Sequence, residues 1–170
     1  MRRYPTAEQL LEDATAETGL DDFGPGDFRN GLDHLLDSLE HDGDLHPDTD
    51  EEVIGDLRRR LVNRLEVETW YGDHPETDDV VIAGPVDVCG LPRTGTTALG
   101  DMLSLDPRFR CLTGWEQTRP VPPPVGGEET DDERRQAYVV RAENQSAEQR
   151  AMHIFEVDSA TEDTEILGMA

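Results

Sequence analysis

The stretch VDVCGLPRTGTTALGDML, Val86 to Leu103, decides how the rest of the chain is read. A short run rich in β-branched residues ends at Cys89, a glycine–proline turn follows, and an amphipathic segment begins at Thr97. Strand, glycine turn and helix in that order aim successive backbone N–H groups at one point, with the positive end of the helix dipole behind them. Such a point attracts phosphate or sulfate. Gly90 and Gly95 let the backbone bend and come close to an anion, Thr94, Thr96 and Thr97 add hydroxyl donors, and Arg93 adds a permanent cationic fork. The plain alternative is a tight strand–helix turn with capping threonines and no ligand, its arginine paired with one of the many surface acids.

Written out, the spacing is Gly90-x-x-x-x-Gly95-Thr96-Thr97. It follows the nucleotide P-loop except before the final threonine, where that motif has lysine and this chain has Thr96. The missing lysine argues against a kinase or ATPase. Arg93, inside the loop, is placed to supply the charge instead.

Working outward from the loop, the chain changes character at Asp79. Upstream, three amphipathic patterns predict helices. Thr6 caps the first, Leu10, Leu11 and Ala14 form its stripe, and Gly19 stops it. In the second, Asp27 is the cap candidate and Phe28, Leu32, Leu35, Leu36 and Leu39 share a face; in the third, Val53, Leu57, Leu61 and Leu65 recur every four residues, with Arg58 to Arg60 on its solvated side. Downstream, Val80–Ala83 and Val86–Cys89 read as strands and Thr97–Leu105 as a helix with Leu99, Met102 and Leu103 facing inward. Asp106–Pro107 ends that helix, the proline-punctuated stretch up to Asp131 reads as loop, Asp131–Met152 as a long polar helix, and the last residues as a short one. The expected organisation is a helical subdomain over 1–78 and a nucleotide-binding part over 79–170. The fold class is α/β of the P-loop nucleotide-binding type, represented only by its first strand–loop–helix unit.

Formal net charge is −24, from 39 acids against 15 bases, and all of the bases are arginine. So negative a chain repels nucleic-acid backbones, which excludes a general DNA- or RNA-binding role. The acids are spread evenly and leave the apolar periodicities intact, so they point to a halophilic protein in which concentrated salt screens the repulsion, rather than to disorder. Cys89 and Cys111 are too few for a disulfide framework and lack metal-ligand spacing; Cys89 reads as a small buried hydrophobe, and no metal is expected. The amino-terminal residues are polar and no run approaches the length of a membrane span, so the expected location is cytoplasmic, without membrane partners.

The segment GLPRTGTTAL resembles the 5′-phosphosulfate loop of sulfotransferases, usually Pro-Arg/Lys-Ser/Thr-Gly-Thr-Thr after a strand. Further on, LSLDPRFRCLTGWEQTRPVP is similar to a downstream segment of prokaryotic sulfotransferases and tyrosyl-protein sulfotransferases, in which an acid in a Trp-Glu or Glu-Glu pair is a proposed general base. AMHIFEVDSATEDTEIL is similar to a stretch that the prokaryotic proteins carry after a long helix. By this resemblance the donor is 3′-phosphoadenosine 5′-phosphosulfate (PAPS). The resemblance implies that Gly90, Pro92, Arg93, Thr94, Gly95, Thr96 and Thr97 hold its phosphosulfate end, that Arg93 stabilises the departing phosphate, and that Glu116 takes the proton from an acceptor hydroxyl or amine. Glu116 is one carboxylate among many, and a merely solvated charge stays open; His153 reads as a packing histidine in preference to a second acid–base group.

The resemblance covers the N-terminal half of that family only. The later arginine and serine that hold the 3′-phosphate, the glycine-rich segment over the adenosine and several flanking strands have no counterpart within these residues. A parallel sheet needs neighbours. The chain is therefore expected to be a truncated or split sulfotransferase, inactive alone, with the C-terminal half as a possible second chain. The alternatives are a kinase-like P-loop nucleotide-binding protein and a non-catalytic interaction fragment.

Overall fold

The computed structural model describes residues 2–43, 45–81, 84–91, 94–124, 129–144, 146 and 157–169. The chain divides into two compact units, Met1–Asp78 with Ile166–Ala170, and Asp79–Glu165.

The first unit holds three helices: α1 (Ala7–Thr18), α2 (Phe28–His41) and α3 (Pro47–Asp73), followed by a 3-10 turn at Pro75–Asp79. α1 starts where Thr6 and Gln9 exchange bonds. The Gln9 N–H donates to Thr6 Oγ1 over 3.2 Å, and the Thr6 N–H donates to Gln9 Oε1 over 2.8 Å. It ends at Gly19, whose φ of 73° suits a residue without a Cβ. Asp27 stands at the start of α2, but its side chain makes no capping bond; its carbonyl takes the first helical N–H groups. Ala7, Leu10, Leu11 and Ala14 of α1 close over Leu32 and Leu36 of α2 and Leu61 and Leu65 of α3, with Phe23 from the connecting loop. Leu35, expected on the same face, is exposed. Arg58 pairs with Glu17, and Arg59 and Arg60 pair with Asp56.

Two arginines hold the loops of this unit. Arg3 grips Asp50 through Nε (2.6 Å) and Nη2 (2.9 Å), and the Tyr4 hydroxyl donates to the same carboxylate. Those bonds, led by the one from Arg3, keep the Asp50 carboxyl below the ordinary carboxylate range. Arg64 donates to the carbonyls of Phe23 (2.6 Å), Pro25 (2.7 Å) and Met169 (2.5 Å), while its guanidinium lies 4.2 Å from the centre of the Phe28 ring.

The second unit contains α4 (Thr96–Ser104), α5 (Gly114–Thr118), a 3-10 turn at Glu129–Asp131 and α6 (Glu133–Glu143), and α7 (Thr164–Leu167) follows. Here the sequence reading needs correction. Among the described residues there is no strand; the one bridge is an isolated antiparallel pairing of Thr113 with Ala160. Val80, Val81 and Val86–Cys89 run without a ladder, Val81 is 90% exposed, and Cys89 is exposed rather than buried. Ile82 and Ala83, the rest of the first expected strand, lie outside the described residues, as does 147–156, which includes His153 and most of the second half of the helix expected up to Met152. On α4, Leu99 and Met102 face solvent instead of a core, and only Leu103 is half-buried. The physical reason is common to all of these. A β pattern becomes a strand only against a neighbouring strand, and an apolar helix face becomes buried only against the sheet so formed. The proline-rich stretch read as loop contains α5, which Thr113 and Glu116 start.

Candidate functional site

α4 begins at Gly95, which takes φ 94°, a left-handed conformation that costs a Cβ-bearing residue energy. The Gly95 carbonyl accepts the Leu99 N–H at 3.0 Å, so the amides of Thr96, Thr97 and Ala98 belong to the first turn, where no helical acceptor exists. Gly90 is packed from the inside of the turn: a Cβ there would stand 2.8 Å from both Thr94 Oγ1 and Thr96 Cγ2. Gly90, Thr94 and Thr96 are therefore drawn together by the turn itself. The Thr94 hydroxyl donates to the Leu91 carbonyl over 2.6 Å, which fixes the bend and takes that hydroxyl out of the free donor set. The Thr97 hydroxyl faces Glu162, with 3.4 Å between Oγ1 and Oε1. Pro92 and Arg93 lie outside the described residues.

Glu116 sits in α5, next to Trp115, and is 6% exposed. Its Oε2 accepts the Thr113 N–H at 2.8 Å and the Thr113 hydroxyl at 2.9 Å, and its Oε1 pairs with Arg110. Both carboxylate oxygens are thus engaged, one in starting α5 and one with a cation from the preceding loop. The Thr-x-x-Glu spacing at 113–116 is the sequence signal for this helix start. Gly114 lets α5 approach α6, because a Cβ there would collide with the Tyr138 ring and hydroxyl; burial in turn raises the Tyr138 hydroxyl above its ordinary pKa.

Arg134 of α6 secures the same region. Its guanidinium lies 5.2 Å from the Trp115 ring centre and donates to the carbonyls of Arg119 (2.9 Å) and Pro122 (2.5 Å). It also pairs with Asp132, which starts α6 by accepting the Arg134 N–H at 2.9 Å. The Arg134 bonds hold the Asp132 carboxyl down to about 2, against the opposing effect of burial.

A segment that the sequence singled out only by family resemblance, with no role for its residues, connects the loop to α5. Residues 158–163 are held at several points. Arg135 grips Asp158 with bonds of 2.8 and 2.6 Å, Ala160 pairs with Thr113, and Gln117 Nε2 donates to Asp163 Oδ1 at 3.1 Å. Gln117 is fully buried, and its Oε1 has no hydrogen-bond partner among the described residues. No local signal marks these contacts, since Thr97 and Glu162 are 65 residues apart. In the first unit, the cleft lined by Phe28, Leu32, Leu35, Leu57, Leu61 and Met169 has a volume of about 130 Å³, well short of the roughly 300 Å³ at which small-molecule pockets begin. Among the described residues no three His, Cys, Asp or Glu side chains are grouped to hold a metal, and no helix is long and apolar enough to cross a membrane.

By its likeness to solved structures, the fold is of the sulfotransferase, P-loop-like type. Residues 85–170, just over half of the chain, match the Sulfotransferase family, and the chain belongs to that family. Two solved structures are similar over nearly its whole length. The sulfotransferase STF1 of Mycobacterium tuberculosis is 29% identical with a TM-score of 0.82, and the match covers 99% of this chain and 48% of that one. The sulfotransferase STF9 of Mycobacterium avium is also 29% identical, with a TM-score of 0.85, covering 99% of this chain and 44% of that one. The chain thus spans about half the length of these sulfotransferases. No curated protein gives a significant match.

Proposed function

We propose that this chain carries the donor-binding half of an enzyme that transfers a sulfonate group from PAPS to a hydroxyl or amine. The observation that carries the reading is the turn at 90–97: Gly95 at φ 94° opens α4, and Gly90 leaves no room for a side chain beside Thr94 and Thr96. A cradle that a Cβ would fill suits the close approach of a phosphosulfate to backbone amides. In this reading the amides of Thr96 and Thr97 and the Thr97 hydroxyl hold that group, with Gly90, Pro92, Thr94 and Gly95 shaping the turn and Arg93 supplying the permanent charge. When bound, PAPS supplies the sulfonate on a phosphate leaving group. Glu116 is the base, its Oε2 already fixed by Thr113 so that the carboxylate is held in one orientation before an acceptor arrives. To take a proton it exchanges one present partner for the acceptor.

The remaining half of the domain is proposed to pack on the second unit. Leu105 is 82% exposed, and Val80, Val81, Val86, Leu91 and Met102 are also exposed; these are the apolar side chains that a completed sheet is proposed to cover. The test is calorimetric titration with adenosine 3′,5′-bisphosphate in molar salt, alongside a PAPS-dependent transfer assay. Binding without turnover by residues 1–170 is expected. Binding of ATP with no response to the bisphosphate would support a kinase-like protein instead. Silence toward both would leave the interaction-fragment reading, and turnover by the isolated chain would overturn the division into halves.

A further inference from the structure

We infer that Glu162 is an affinity-setting residue of the loop: its carboxylate stands where an incoming anion must bond to Thr97, and the donor nucleotide binds by displacing it. The inference rests on the anion-loop reading above and concerns the same site.

Three observations bear on it. The Thr97 hydroxyl, on the first turn of α4, has Glu162 Oε1 as its acceptor at 3.4 Å. That distance is long for an O–H···O bond, so little is lost when the hydroxyl turns to a better acceptor. Second, the Glu162 side chain is exposed, but the stretch of chain that carries it is held in place. The residues around it are fixed by Arg135 on Asp158, by the Thr113–Ala160 bridge, by the Thr161 N–H on the Leu112 carbonyl (3.4 Å) and by Gln117 on Asp163. Gln117 is completely buried, and it is the side chain just after the candidate base. Third, the charge has the wrong sign for an anion site. A carboxylate beside the positive end of a helix is favourable in the empty protein and becomes a like-charge neighbour once a phosphosulfate arrives. The same group thus stabilises the free loop and opposes its ligand, which is the behaviour of an internal competitor.

The chemical consequence is selectivity by charge and by number of bonds. An inorganic anion such as chloride or sulfate gains only the bonds of the loop itself, in competition with the carboxylate. A nucleotide that also binds elsewhere brings the additional free energy. For a chain carrying −24 charges in concentrated salt, where inorganic anions are abundant, this keeps the loop free of them.

The experiment measures affinity for adenosine 3′,5′-bisphosphate by calorimetry in the wild type, Glu162→Gln, Thr97→Val, the double variant, and Asp101→Asn as a control for net charge on α4. All are measured at the lowest salt that keeps the wild type folded. Competition by the carboxylate for the one Thr97 hydroxyl is expected to weaken binding about five-fold, so Glu162→Gln should bind about five-fold tighter, while Asp101→Asn, which changes only the charge on α4, changes affinity less than about two-fold. In the Thr97→Val background the gain should shrink to that of the control, because the competition is for that hydroxyl. An unchanged or weaker affinity in Glu162→Gln, with the wild type binding normally, overturns this inference and leaves the loop reading standing. A gain that survives intact in the double variant also overturns it, as a field effect without competition. Absence of binding in every chain overturns the loop reading itself.

Discussion

Replacing Asp132 with asparagine isolates what one ion pair contributes to the region around Glu116. Asp132 starts α6 and holds Arg134, and Arg134 in turn covers Trp115 and carries the Arg119 and Pro122 carbonyls. Its carboxyl, normally at 3.8, is held at about 2, chiefly by the Arg134 bond. At ~1.4 kcal/mol per tenfold difference, that interval corresponds to about 2 kcal/mol favouring the folded state at neutral pH. The Asp132 side chain is 19% exposed, so solvent screening removes only part of it. The sign follows from the depression. The unfolded carboxyl keeps its ordinary affinity for protons, so the contribution is complete above pH ~4 and disappears as pH falls toward about 2. Urea denaturation in molar salt, followed by tryptophan fluorescence in a Trp70→Phe background, reports on the second unit through Trp115. After that screening, Asp132→Asn should be less stable than its parent by about 1 kcal/mol at pH 7, and the deficit should narrow as pH is lowered through 4 toward 3. A deficit under ~0.5 kcal/mol, typical of a surface pair, would refute the reasoning. So would one that stays constant across that pH range.

Arg64→Met keeps most of the side-chain bulk over Phe28 but removes three bonds to carbonyls, and should lower the stability of the first unit by about 2–4 kcal/mol, measured by denaturation with Trp70 as reporter. Gly90→Ala places a Cβ 2.8 Å from Thr94 Oγ1 and Thr96 Cγ2; bisphosphate affinity should drop at least about ten-fold while unfolding free energy changes by less than ~1 kcal/mol, since the turn is exposed and only its shape is altered. Lowering salt from about 1 M to 0.1 M lengthens the screening distance from ~3 to ~10 Å. With a net charge of −24 this should lower the melting temperature steadily, and a thermal scan showing no salt dependence would contradict the halophilic reading.

The parts of the molecule that the sequence made legible are the ones decided within a few residues. Thr6, Gln9 and Gly19 bound α1 through contacts no more than four residues apart, and the leucines of α1 and α3 repeat at the helical period that buries them. The glycine loop is legible for the same reason, because Gly95 and the threonines at 94, 96 and 97 shape a single turn. The Thr113–Glu116 spacing carried an equally local signal for α5, hidden by the prolines around it.

Other features depended on distant chain segments. Composition, charge and turn chemistry by themselves determined an acidic chain with a helical preface and a glycine- and threonine-rich turn at a helix start, since each of these follows from the residues and their neighbours. Tertiary structure decided that Val80, Val81 and Val86–Cys89 have no ladder among the described residues. It also decided that Glu116 is buried between Thr113 and Arg110, and that Glu162 faces Thr97. A strand, a buried charge and a carboxylate beside a loop each need a partner brought from elsewhere in the chain. Periodicity does not specify which partner arrives.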